Sequence, residues 1–147
     1  MSQARDLVDS LVDTTRSGRI IQVQRTQYTS TTSTAVATYT NVELSHLAVN
    51  ITPTATNSII KIEAMVSGEW TPQETTTYNS GWFFYRDSTK LAAPIDGSRS
   101  ITVLPLTLIG ITGADQASTP EAAVYSYFDT PSSTSQIAYK VGVVQAT

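Results

Sequence analysis

His46 is the only imidazole in this 147-residue chain, and there is no cysteine. Ser-His-Asp catalysis would need His46 beside both a nucleophile and a carboxylate, and no nucleophile-elbow motif surrounds any serine. His46 therefore reads as a polar residue at the start of a strand. The absence of thiols removes thiol catalysis, disulfide scaffolds and Cys-ligated zinc together. Asp87, Asp96, Asp115, Glu121 and Asp129 could supply the pair of carboxyl groups, about 5–10 Å apart, that cleaves a glycosidic bond. Their settings read them instead as turn residues and solvated loop charges. No Gly-rich phosphate loop, EF-hand loop or His-based metal cluster is written in the sequence. No catalytic residue, metal or cofactor is expected, and the chain is expected not to be an enzyme.

Aromatic side chains are the other carriers of chemistry. Trp70, Tyr78 and Trp82 border the segment Thr71 to Ser80, and an exposed aromatic platform beside amides and hydroxyls could stack on a sugar ring. Two other readings stand beside that one. Trp82 opens an apolar strand and so reads as core, and all three aromatics are of the types enriched at oligomer interfaces.

The net charge is -3, the sequence pI about 4.9, and no Lys/Arg run gives a local footprint for phosphate backbones, so nucleic acid is not an expected partner. No stretch approaches the roughly 20 apolar residues that span a bilayer, and MSQARDLVDS lacks the charged-then-apolar order of a signal peptide. The expectation is a product assembled in the cytoplasm, without a membrane partner.

The elements that would position these residues are mostly strands. The chain holds 24 Thr and 17 Ser; β-branched Thr suits a pleated surface and Ser suits turns, the composition of an all-β fold with polar outer faces. Seven Tyr, two Trp and three Phe argue against a disordered, low-complexity segment. Alternation predicts a first strand from Arg19 to Tyr28 with Ile21 and Val23 on one face, and a second from Ala35 to about Val42. A third carries Leu47, Val49 and Ile51 and stops at Thr52-Pro53, since proline donates no ladder bond. Ile60, Ile62, Ala64 and Val66 share a face of a fourth, with Lys61, Glu63 and Ser67 turned out. GWFFYRD, Gly81 to Asp87, is an aromatic strand followed by a turn at Asp87 to Lys90. Further strands are expected near Ile101 to Ile111, Ala122 to Phe128 and Ile137 to Val144. About eight short antiparallel strands, each with one buried face, describe a β-sandwich or jelly roll over residues 18–147.

Residues 1–17 follow a different period. Ala4, Leu7 and Leu11 repeat at helical spacing, Val8 and Val12 widen the stripe, and Gly18 closes it. Burying Leu7, Val8, Leu11 and Val12 supplies about 6–10 kcal/mol, less than the cost of ordering a dozen residues at about 1.5 kcal/mol each. These four are the expected oligomerisation or docking residues, packed against sister chains, a groove on another protein, or the chain's own domain.

Five segments carry a family likeness: GRIIQVQ (Gly18 to Gln24), LAVNITP (Leu47 to Pro53), IIKIEAMVSG (Ile59 to Gly68), YRDSTKLA (Tyr85 to Ala92) and SYFDTPSSTSQIAYKVGV (Ser126 to Val143). In this order they resemble a module of tailed-bacteriophage virion proteins, often found at tail-fibre tips in phages of marine and freshwater bacteria. The resemblance implies a β-sandwich, usually trimeric, mounted on the outside of a particle. Since the module begins about 18 residues into the chain, without a shaft, the expected role is a homotrimeric capsid decoration or cement protein docked through its helix on other virion proteins. The alternative is a short tail fibre or receptor-binding tail protein that contacts host-surface glycans.

Overall fold

A computed structural model of the chain describes residues 20–37, 39–68, 80–92, 102–105 and 121–145. Among them lie seven strands and no helix: β1 (Asn41–Ile51), β2 (Ile60–Gly68), β3 (Ser80–Arg86), β4 (Thr89–Leu91), β5 (Leu104–Pro105), β6 (Glu121–Asp129) and β7 (Ile137–Gln145). They form two antiparallel sheets. The larger has the order β1-β7-β3-β4, with β5 joining the same edge of β3 as β4; the smaller pairs β2 with β6. The expected helix, with Leu7, Val8, Leu11 and Val12, falls outside the described residues.

Strand β7 is central to the larger sheet, and its sequence says why it can be. Ile137, Tyr139, Val141 and Val143 lie on one face, as the alternation predicts, yet Val144 on the other face is buried as well. A strand apolar on both faces is at home between two neighbours. β2 keeps the simpler pattern of one buried face: Ile62, Ala64 and Val66 point inward and Lys61, Glu63 and Ser67 outward.

Of the second expected strand, Ala35 to about Val42, only Asn41 and Val42 are in a strand, and they open β1, which runs on through the third. Val42 and Leu44 occupy even positions, Leu47, Val49 and Ile51 odd ones, so a straight strand would send the two runs to opposite faces. In β1 the register jumps from Leu44↔Val141 to Ala48↔Lys140, leaving Ser45, His46 and Leu47 as a bulge that the partner strand does not match. An insertion of odd length reverses the phase. Val42 and Leu44 therefore face the same side as Val49 and Ile51, opposite Val143, Val141, Tyr139 and Ile137 in turn.

The first expected strand is a correction. From Ile20 to Ala37 the chain has no regular secondary structure, only a bend at Ser30. Ile20, Ile21 and Val23 lie exposed on the surface of the single chain. Their alternation is that of a strand, but no sheet among the described residues receives it.

The shared core joins Leu44, Phe84, Leu91, Ile137, Tyr139, Val141 and Val143 of the larger sheet to Ile62 and Tyr125 of the smaller. At about 1.5–3 kcal/mol for each fully buried large side chain, this layer is the main term holding the two sheets together.

Candidate functional site

At one end of the core, polar groups meet where the alternation would have put apolar ones. β6 turns Ala123, Tyr125, Tyr127 and Asp129 toward the larger sheet, because residues two apart share a face. β3 turns Trp82, Phe84 and Arg86 the same way, against Val143, Val141 and Tyr139 of β7. Arg86 Nη1 donates to both carboxylate oxygens of Asp129, at 2.9 and 3.1 Å. The Tyr139 hydroxyl donates to Asp129 Oδ2 at 2.7 Å. Asp129 is 8% exposed and Arg86 28% in its side chain. Reading Asp129 as a solvated loop charge is thus corrected: it is a buried anion held by a cation and a phenol from two strands of the opposite sheet. Position was the available signal, since Asp129 stands in phase with Tyr125 and Tyr127.

The same cluster sets the chemistry open to it. Burial pushes the Tyr139 phenol well above the ordinary tyrosine range, and its hydrogen bond to Asp129 pushes it further. Both Asp129 oxygens already accept hydrogen bonds, and the donors come from the protein itself. This arrangement fastens one sheet to the other. Asp87 is also spoken for: at φ 52° it turns the chain between β3 and β4, its amide donating to the Ala138 carbonyl and its Oδ1 accepting from the Ala138 amide. Asp96 and Asp115 fall outside the described residues. No three His, Asp or Glu side chains among the described residues converge on a point where a metal could sit.

The aromatic candidates separate. Trp82 belongs to the inward face of β3, half-buried, with its ring stacked on Tyr125 at 6.5 Å; Phe84 stacks on the same tyrosine at 4.5 Å. Its indole Nε1 is buried without a hydrogen-bond partner. Tyr125 instead sends its hydroxyl to the Phe83 carbonyl at 3.1 Å, and burial raises its ionisation far above the ordinary value. Trp82 is thus part of the apolar layer, while Trp70 and Tyr78 lie outside the described residues.

The outward face of the larger sheet is closed by its own side chains. Phe83 is wholly buried and lies across Gly142, the residue paired with it on β7. A Cβ on Gly142 would stand 2.4 Å from Phe83 Cε2, so only glycine leaves room for the ring. Tyr85 meets that ring edge-on at 5.1 Å, and the Lys90 ammonium sits 4.1 Å from its centroid while donating to Asn41 Oδ1. Lys140 pairs with Glu43 on the same face at 2.7 Å. His46, displayed by the β1 bulge, packs its ring 4.5 Å from that of Tyr28.

No family model matches this chain, and no curated protein or solved structure does. Function must be argued from the molecule's own surfaces.

Those surfaces differ. Unlike the larger sheet, the β2–β6 ribbon turns large apolar groups to solvent: Met65 is 72% exposed and Phe128 66%, with Val124 and Ile59 alongside. Met65 and Val124 are directly paired across the two strands. Sequence reasoning passed over this face, because it looked for function in loops and in the first helix. The alternation of β6 held the signal: Val124 and Phe128 occupy its even positions, out of phase with the core.

Proposed function

We propose that this chain is a non-enzymatic structural protein of a tailed-phage particle, a homotrimeric decoration protein on the outer surface of the capsid, whose two sheets form a β-sandwich of jelly-roll type. One observation carries the reading. The buried polar cluster is consumed in fastening the sheets, while Ile20, Ile21, Val23, Met65, Val124 and Phe128 lie outside, where only assembly would remove them from water. The resemblance of the five sequence segments supplies the kind of particle. The amphipathic stripe Leu7, Val8, Leu11 and Val12 supplies a second apolar surface for sister chains or a shell protein. Many weak contacts repeated by symmetry then sum to firm attachment.

Light scattering on the purified full chain gives the first test, with a mass of three chains expected and a single-chain mass at tens of micromolar counting against trimerisation. Electron cryomicroscopy of purified particles gives the second. Density at capsid symmetry positions supports decoration, density confined to the tail moves the assignment to a short fibre, and particles lacking the chain overturn the reading.

A further inference from the structure

The N-terminal arm and the β2–β6 ribbon each lack what the other has. From Ile20 to Gln27 the arm has the period-two pattern of a strand but no sheet, with Ile21 65% and Val23 75% exposed. The ribbon is a sheet of only two strands, and among the described residues neither strand has a second neighbour. Two strands alone are marginal in water, and a third adds both ladder bonds and packing.

Edges are not equivalent as acceptors. β1 is interrupted by its bulge, and β4 is three residues long; both are ways of blunting an edge. β2 and β6 pair over nine residues without any register shift. Of these two, β2 carries Lys61 and Glu63 on its outward face, the charges that discourage added strands, whereas β6 shows Ala122, Val124, Ser126 and Phe128, none of them charged. We infer that the arm Ile20 to Gln27 of one copy adds as a strand to the β6 edge of a second copy, with Ile21 and Val23 beside Val124 and Phe128 on the outward face.

The occupant is a second copy because both halves of the match are in this sequence, and because the arm pairs with no strand among the described residues. Its contact with His46 at Tyr28 fixes the base of the arm, and eight residues extended from there reach about 26 Å at about 3.3 Å per residue. That length is enough to lie along the nine-residue β6. Passed from each copy to the next, the contact is heterologous and closes on itself in a ring of three. The inference rests on the self-assembly in the proposed function and deepens it by naming the contact.

The native chain has no cysteine, so single engineered thiols report without background. Chains carrying Ile21→Cys or Val23→Cys would be mixed with chains carrying Val124→Cys or, separately, Met65→Cys, then oxidised mildly and run on a non-reducing gel. Met65 lies one strand further in, beyond the roughly 7 Å between Cα atoms that a disulfide tolerates. The expected result is a covalent two-chain species with Val124→Cys and little or none with Met65→Cys. Ile21→Asp with Val23→Asp in the full chain should reduce the light-scattering mass to one chain while circular dichroism keeps its β signal. A link to Met65→Cys alone, a chain carrying both Val23→Cys and Val124→Cys that closes on itself as a single chain, or a trimer that survives the two aspartates overturns the inference; the last leaves the decoration reading standing. A wild-type monomer overturns both.

Discussion

Replacing Asp129 by alanine removes an anion that serves two donors. Arg86 loses both Nη1 contacts, and the Tyr139 hydroxyl loses its 2.7 Å acceptor. Breaking a buried ion pair from one side costs about 3–5 kcal/mol; Arg86 keeps 28% of its side chain in solvent, so its share belongs at the low end. Tyr139 has no such relief at 2% exposure, and an orphaned buried hydroxyl costs about 1–3 kcal/mol. The two penalties overlap, because one carboxylate answers both donors, and together they come to about 4 kcal/mol. With a urea dependence of about 2 kcal/mol/M, the unfolding midpoint should fall by about 2 M. A triple variant, Arg86→Met with Asp129→Leu and Tyr139→Phe, removes every polar member at once and should recover most of that loss. If Asp129→Ala costs less than about 1 kcal/mol, or if the triple variant is no better than the single one, the cluster does not fasten the sheets in the way argued.

Gly142→Ala should destabilise by about 1–3 kcal/mol through overpacking, since the new methyl meets a wholly buried Phe83 ring at 2.4 Å; thermal unfolding of Gly142→Ala alone and with Phe83→Leu checks it, the pair being expected to cost less than the sum. Alkaline pH should weaken the fold. Tyr125 and Tyr139 both ionise above the ordinary tyrosine range in the folded chain, so the unfolded chain loses its protons first: stability is whole below about pH 10 and falls above it by roughly 1.4 kcal/mol per pH unit for each tyrosine. Urea unfolding at pH 9 and pH 11 measures this slope, and Tyr139→Phe should reduce it. Trp82→Ala should cost about 3 kcal/mol as the loss of a core aromatic; unchanged stability with lost glycan adsorption would return Trp82 to the surface. Leu7→Asp with Leu11→Asp should abolish particle attachment or trimerisation with the β signal intact, and unchanged assembly in sedimentation would remove the helix as anchor.

Local pattern was enough to read β2 and the inward face of β7, because one-sided burial leaves a period of two in the sequence. It misled wherever pairing depends on something distant. The arm from Arg19 to Tyr28 alternates as well as any strand, yet alternation records only what a segment can do and not whether an edge awaits it. β1 looked like two strands because its phase reverses at Ser45 to Leu47, and only the partner strand shows that the ladder resumes. Asp129 looked solvated because its neighbours Thr130 and Pro131 are turn residues; Arg86, 43 positions earlier, is what makes its burial tolerable. Phe83 and Gly142 could not be matched from spacing at all. Their fit is a steric relation between strands.

The β1 bulge also bears on how this chain can change length. Ser45, His46 and Leu47 act like a frame shift in the face pattern: Leu44 and Val49 stand an odd five residues apart, and the three unmatched residues supply the reversal that keeps both on the core side. Deleting one residue there would bring Val42, Leu44, Val49 and Ile51 into one parity, so that a strand without a phase reversal seats all four on the core face, whereas deleting two would leave a one-residue bulge that still reverses the phase. The unmatched residues can therefore change in number while each half of β1 keeps its own ladder with β7, which makes His46 and its neighbours a place where a loop could be grafted.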